Sequence, residues 1–140
     1  MTIDHAAALC TVDIGAAART NDQFRRVLST GPHAQVVVMS IPPGGEIGEE
    51  VHAGLDQVLV FVEGSGIAIL DGVEAVVGPD TLVHVPAAAR HNVVNRGTGD
   101  LRLFTVYAPP QHARGTVHRT KADADADEAD HFVAPAAPGA

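Results

Sequence analysis

The stretch EEVHAGLDQ, residues 49–57, sets two acids, a His and a Gln into a chain otherwise rich in Val, Ala and Gly. Alternate residues of a strand share a face, so Glu50 and His52 point one way and Glu49 and Val51 the other. Gln57 opens the run QVLVFVE (57–63), in which Leu59 and Phe61 read as core and Gln57 lies on their face. The intervening Ala53-Gly54-Leu55-Asp56 reads as a hairpin loop that resets the parity and sets Gln57 on the neighbouring strand. A Glu, a His and a Gln turned inward are costly unless paired or bound, and a metal cation would satisfy all three. A fourth partner is expected from TLVHVPAAARHNVVN (81–95), where Pro86 ends one strand and His91 opens the next, with His91, Val93 and Asn95 on one face.

Outward from this stretch the chain keeps the same texture. FRRVLS (24–29), AQVVVMSI (34–41), EIGEEVH (46–52), QVLVFVE (57–63), IAIL (67–70), VEAVV (73–77), TLVHV (81–85), HNVVN (91–95) and LRLFTVYA (101–108) are short β-rich runs separated by turn residues. Asp71-Gly72 is a strong two-residue hairpin signal, because a type I′ turn needs positive φ at both positions. No helical stripe interrupts residues 24–108. The pattern predicts an all-β antiparallel sandwich or barrel.

The flanks differ. Residues 1–20 are Ala-rich and read either as a short helix or as a segment lying across the body. From about residue 120, KADADADEADHFVAPAAPGA lacks the apolar mass to offset its ordering entropy and reads as a disordered tail, with a short amphipathic helix over 121–131 as the other reading. The organisation is thus an N-terminal extension (1–23), one barrel (24–112) and a C-terminal segment (113–140). With 140 residues there is room for one core and not two. The single cysteine, Cys10, excludes an internal disulfide and reads as a small apolar residue. Residues 121–140 set one Lys against five acids, so half of the net charge of -8 sits there. The body gives no electrostatic reason to bind nucleic acid. No apolar run is long enough to cross a bilayer, and the N-terminus starts without the positive charge of a signal peptide, so a cytoplasmic location is expected.

Two spaced motifs now resemble those of the cupins. The first family motif, G-x5-H-x-H-x(3,4)-E-x6-G, is matched in spacing by Gly44, Glu50, His52, Gln57 and Gly64. The second, G-x(5–7)-P-x-G-x2-H-x3-N, is matched by Gly78, Pro86, Ala88, His91 and Asn95. The likeness extends over roughly 24–110 and is strongest to small single-domain cupins of the mannose-6-phosphate isomerase-like kind. It implies a jelly-roll barrel (a double-stranded β-helix) and carries over four metal positions: Glu50, His52, Gln57 and His91. Glu50 stands where the family usually has a His, Gln57 where it has a Glu, and Ala88 where it has a Gly. Two imidazoles, a carboxylate and a weaker amide oxygen suit a divalent transition ion such as Fe, Mn, Zn, Ni or Co.

Each residue also has a plainer reading. His52 and His91 are satisfied histidines of a barrel that has lost its metal; Glu50 pairs with Arg90 or faces water; Gln57 bonds backbone. His84 reads as a packed strand histidine and Asn95 as a turn former. Tyr107 is a proton donor or a barrel cap. His112 and His118 lie in YAPPQHARGTVH (107–118): the plainer reading leaves both on a surface loop, and the other has Pro109-Pro110 fold back and aim an imidazole at the site.

The functions that follow are a metalloenzyme on a small polar metabolite, of the sugar or sugar-acid isomerase or tautomerase type or a dioxygenase, and, as the alternative, a non-catalytic cupin that binds a small molecule or a metal. The resemblance implies a homodimer, with 24–29 or 36–41 supplying an edge. A phosphosugar is weakly supported, since only Arg90 and Arg96 stand near the mouth.

Overall fold

Turn residues divide the chain into β1 (Arg25–Thr30), β2 (Gln35–Ile41), β3 (Glu50–Val51), β4 (Asp56–Glu63), β5 (Gly66–Leu70), β6 (Val73–Val77), β7 (Leu82–Val85), β8 (Arg90–Asn95), β9 (Leu101–Ala108) and β10 (Val117–His118). This is a computed structural model that describes residues 10–134; the expectations for 1–9 and for 135–140 fall outside the described residues. Two antiparallel sheets face each other, a larger one ordered β10-β1-β2-β9-β4-β7 and a smaller one ordered β3-β8-β5-β6. The jelly-roll expectation holds. Asp71 and Gly72 take φ of 46° and 83°, the mirror-image turn that joins β5 to β6.

Between the sheets lies one apolar core, with Val27, Val37, Met39, Leu59, Phe61 and Leu103 from the larger sheet and Ala68, Val77 and Val93 from the smaller. The alternation of β9 is as read: Leu101, Leu103, Thr105 and Tyr107 are buried, with less buried residues between them. Gln57, Tyr107 and Gln35 lie side by side across β4, β9 and β2, so this inward row is polar.

The flanks fold onto the barrel. Asp13 caps α1 (Ile14–Thr20) by accepting the Ala16 N–H at 3.0 Å, and Ala18 packs with Leu28 and Val38 on the outer face of the larger sheet. Thr120 caps α2 (Lys121–Ala126) by accepting the Asp123 N–H at 3.1 Å. Thus residues 121–126, read mainly as disordered from their composition, form a helix instead. Short as α2 is, the segment after it is held by side-chain bonds that composition does not reveal.

Three further expectations change. The segment 53–56 does not close a hairpin: β3 pairs with β8, and β4 pairs with β7 and β9. The loop crosses from the smaller sheet to the larger, and its Leu55 is buried on the way. β2 offers no edge for pairing, since β1 and β9 flank it, whereas β10 covers β1 only at Arg25 and Arg26. His84 is not packed; it points outward, 3.2 Å from Asp56.

Candidate metal centre

Glu50 and His91 are Cα partners across β3 and β8, and His52 follows two residues after Glu50 on the same face. The three donor groups converge, each offering an atom within 4.8 Å of the others. The His52 and His91 ring centroids are 5.1 Å apart. His52 Nε2 is buried and stands 2.9 Å from a Glu50 oxygen, its one close polar contact among the described residues. Two donors bound side by side at ~2.1 Å from one ion would stand about 3 Å apart, so the spacing suits shared coordination. Burial works against the Glu50 charge, but contact with His52 and the charge of Arg25 outweigh it and hold the carboxyl below its usual range. Glu50 does not pair with Arg90, which lies 3.7 Å from Glu49 instead.

His91 is oriented by its backbone surroundings. Its Nδ1 lies 3.0 Å from the Ala89 carbonyl, so the Nδ1–H donates there and Nε2 keeps its lone pair. The turn that presents it is tight: Ala88 has φ 72°, and its N–H donates to the His52 carbonyl at 2.7 Å. Ala88 thus holds the left-handed conformation that a Gly adopts without strain. Asn95 shapes the next turn as expected, donating to the Ile41 and Gly99 carbonyls and accepting the Gly97 N–H.

Gln57 enters from the opposite sheet. Its Nε2 donates to Thr105 Oγ1 at 3.0 Å, and its Oε1 is buried with no partner among the described residues. The plainer reading, a Gln satisfied by backbone, leaves that oxygen unexplained. A buried carbonyl oxygen with nothing to accept costs about 1–3 kcal/mol, which a cation would remove. The donor set fits a divalent transition ion.

Tyr107, His112 and His118 are all buried, so the surface-loop reading of the two histidines fails. Tyr107 lies 6.2 Å from the His52 ring and 5.0 Å from the His112 ring, centroid to centroid. Burial pushes its phenol far up, which keeps it a proton carrier at neutral pH. The amide of Gln35 clamps the chain at His112, accepting its N–H at 2.9 Å and donating to its carbonyl at 2.9 Å. The ring Nδ1 lies 2.8 Å from Asp130, and Nε2 is buried without a partner among the described residues. Burial pushes the imidazole down, the Asp130 bond pulls it back, and the charge of Arg25 adds to the burial. Asp130 sits well below the usual carboxylate range: burial opposes its charge, but His112, the Ala113 N–H and the Thr116 hydroxyl outweigh it.

Arg25, Gln35, Asp127 and Asp130 escaped the sequence reading. Arg25 sits in a run read as an edge, Gln35 in a run read as plain strand, and the two acids in a run read as tail. The one available signal was that the same segment, 107–131, holds three histidines together with many acids.

Among known proteins, the family model described as the cupin domain matches residues 37–107. The chain is 43% identical over 123 residues to YrkC of Bacillus subtilis (strain 168), covering 84% of this chain and 66% of that protein. It is 33% identical over 101 residues to L612 of Acanthamoeba polyphaga mimivirus, covering 69% and 63%. The chain therefore spans just under two thirds of the length of these curated relatives. The crystal structure of BH2720 from Bacillus halodurans superposes with a TM-score of 0.86 at 42% identity, covering 89% of this chain and 98% of that one. Two sheets rolled around one core, a Glu and two His converging inside them, and a family match through the strands that carry them lead to one conclusion: the chain belongs to the cupin family.

Proposed function

We propose that this cupin is a metal-dependent enzyme acting on a small polar metabolite, with Glu50, His52, Gln57 and His91 as the metal ligands and His112 as the group that moves a proton. The convergence of Glu50, His52 and His91 carries the reading. A bound divalent ion supplies Lewis acidity, polarising an oxygen of the ligand.

His112 favours an isomerase or tautomerase over a dioxygenase. Gln35 fixes its backbone, Asp130 fixes its tautomer, and Nε2 is left with a free lone pair inside the barrel. In such a reaction Nε2 takes a proton from the carbon beside a carbonyl. The C–H electron pair becomes a C=C bond, and the carbonyl π pair moves to oxygen. The imidazolium then returns the proton at another atom, so no oxidant is consumed. Tyr107, kept protonated by burial, is placed to donate a hydrogen bond within the same space.

The test begins with the metal content of protein purified without added metal, then follows deuterium uptake by small 2-oxo acids and sugar acids in D2O. We expect about one ion per chain, lost in His52→Ala/His91→Ala, and exchange that falls ~100-fold in His112→Gln while metal content stays unchanged. Metal-free wild type of unchanged thermal stability would leave the non-catalytic binding reading. We further propose a homodimer, paired through the free edge β6, where Val73 and Val76 are 71% and 78% exposed.

A further inference from the structure

Arg25 is a buried cation with no direct ion pair among the described residues. It lies on β1 directly opposite Met39 and His118, and only 7% of the residue is exposed. Among the described residues no carboxylate pairs with its guanidinium. One nitrogen, Nη1, lies 3.3 Å from His118 Nδ1, and Nε is buried with no partner. The guanidinium lies 5.3 Å from the Phe24 ring centroid, contacts the Tyr107 hydroxyl and acts by its charge on Glu50 and His112, so it faces the space those groups share. Arg26 and Arg102 also have a buried Nε without a partner, but they lie on the outer face, where Arg102 pairs with Glu63 and Asp100.

The position is built rather than accidental. His118 Nε2 lies 2.9 Å from Asp127, so Nε2–H donates to that carboxylate and Nδ1 is left to accept from Arg25. Asp127 follows α2, in the acidic run. A buried guanidinium is costly without a direct counter-charge; Glu50 acts on it across space, and Asp127 reaches it only through the His118 imidazole. A guanidinium offers a planar fork that fits a carboxylate with two parallel hydrogen bonds.

We infer that Arg25, held by His118 and Asp127, is an anchoring site for a ligand carboxylate, which makes the substrate a small organic acid. This inference rests on the proposed function for what happens at the other end of the ligand, but the binding itself does not need the metal. A 2-oxo or hydroxy acid seated on Arg25 would present its oxygenated carbons toward Glu50, Tyr107 and His112.

Calorimetric titration tests it, using pyruvate, glycolate and malonate against their methyl esters and against chloride and sulfate, on metal-loaded and chelator-stripped protein. We expect at least one free acid to bind both forms, its ester to bind at least tenfold more weakly, and Arg25→Gln to weaken the acid at least tenfold while metal content and circular dichroism stay unchanged. Arg25→Lys, which keeps the charge and loses the fork, should recover only part of the affinity, and Asp127→Asn should lie between wild type and Arg25→Gln. Equal binding by Arg25→Gln overturns the inference, and so does the failure of every acid to bind folded protein, or inorganic anions binding as tightly as the acids. Loss of metal from wild type with Arg25-dependent acid binding intact would instead sink the proposed function and leave the anchoring site standing.

Discussion

His112 and Asp130 lie 18 residues apart in the chain and 2.8 Å apart in space. Asp130 also accepts from the Ala113 N–H and the Thr116 hydroxyl, so one carboxylate ties the segment after α2 to residues 112–116. Replacing it with Ala strands a buried imidazole N–H and a backbone N–H. We expect Asp130→Ala to cost about 3 kcal/mol, read as a shift in the denaturant midpoint at an unchanged slope. A loss below about 0.5 kcal/mol would mean that the segment is not anchored there.

The same pair gives the stability a pH dependence. His112 is depressed in the folded state, so between its folded value and the ordinary imidazole value of about 6.5 the unfolded chain binds more protons. Its contribution is complete above about 6.5 and is lost as pH falls below that. Asp130 is depressed as well, so its contribution is complete above about 3.9 and is lost on further acidification. Urea titrations at stepped pH should show stability falling from pH 7 to 5, with a shallower fall in His112→Gln. An unchanged slope in that variant would assign the fall to another group.

Gln57 offers a sharper test of the ligand set than deletion. In Gln57→Glu a charged oxygen replaces the unpartnered amide oxygen, and the bond to Thr105 is lost. Divalent metal should bind about tenfold more tightly, ~1.4 kcal/mol, while the metal-free protein becomes less stable. Competition against a chelating dye measures the first effect and thermal unfolding in chelator the second. Unaltered affinity would place Gln57 outside the ligand set.

Much of this fold is readable in the residues because period-two alternation and turn chemistry are local. The Asp71-Gly72 turn, the inward face of β9 and the pairing of Glu50 with His52 all depend on neighbours a few positions away. The loop 53–56 is not legible in this way, for the opposite reason. Whether four residues close a hairpin or cross between sheets depends on which strands their flanks pair with, and here those partners are β8 and β9. The anchoring of 113–130 was hidden in the same way, since acids read as solvated charge by composition become structural once buried histidines stand opposite them. Arg25 could not be assigned from FRRVLS, where either Arg can face inward.

Ala88 makes a smaller prediction about the motif it departs from. Its φ of 72° strains any residue with a Cβ, by about 1 kcal/mol. Ala88→Gly relieves that strain and adds freedom to the unfolded chain, so we expect a net gain of about 0.5 kcal/mol. A thermal melt checks it, and destabilisation would mean that the methyl group is packed usefully.

The assembly is open to direct measurement. Pairing through β6 should be disrupted by Val76→Glu, and light scattering should then report half the mass of wild type. Monomeric wild type at working concentration would dispose of the proposal.

Glu50, His52 and His91 hang from one wall of the barrel and Gln57 from the other, joined by a crossing loop. An ion shared among them would rivet the two walls together at the rim. Chelation should then free that rim first, with amide exchange quickening in 48–57 and 88–92 while the Phe61 end stays shut.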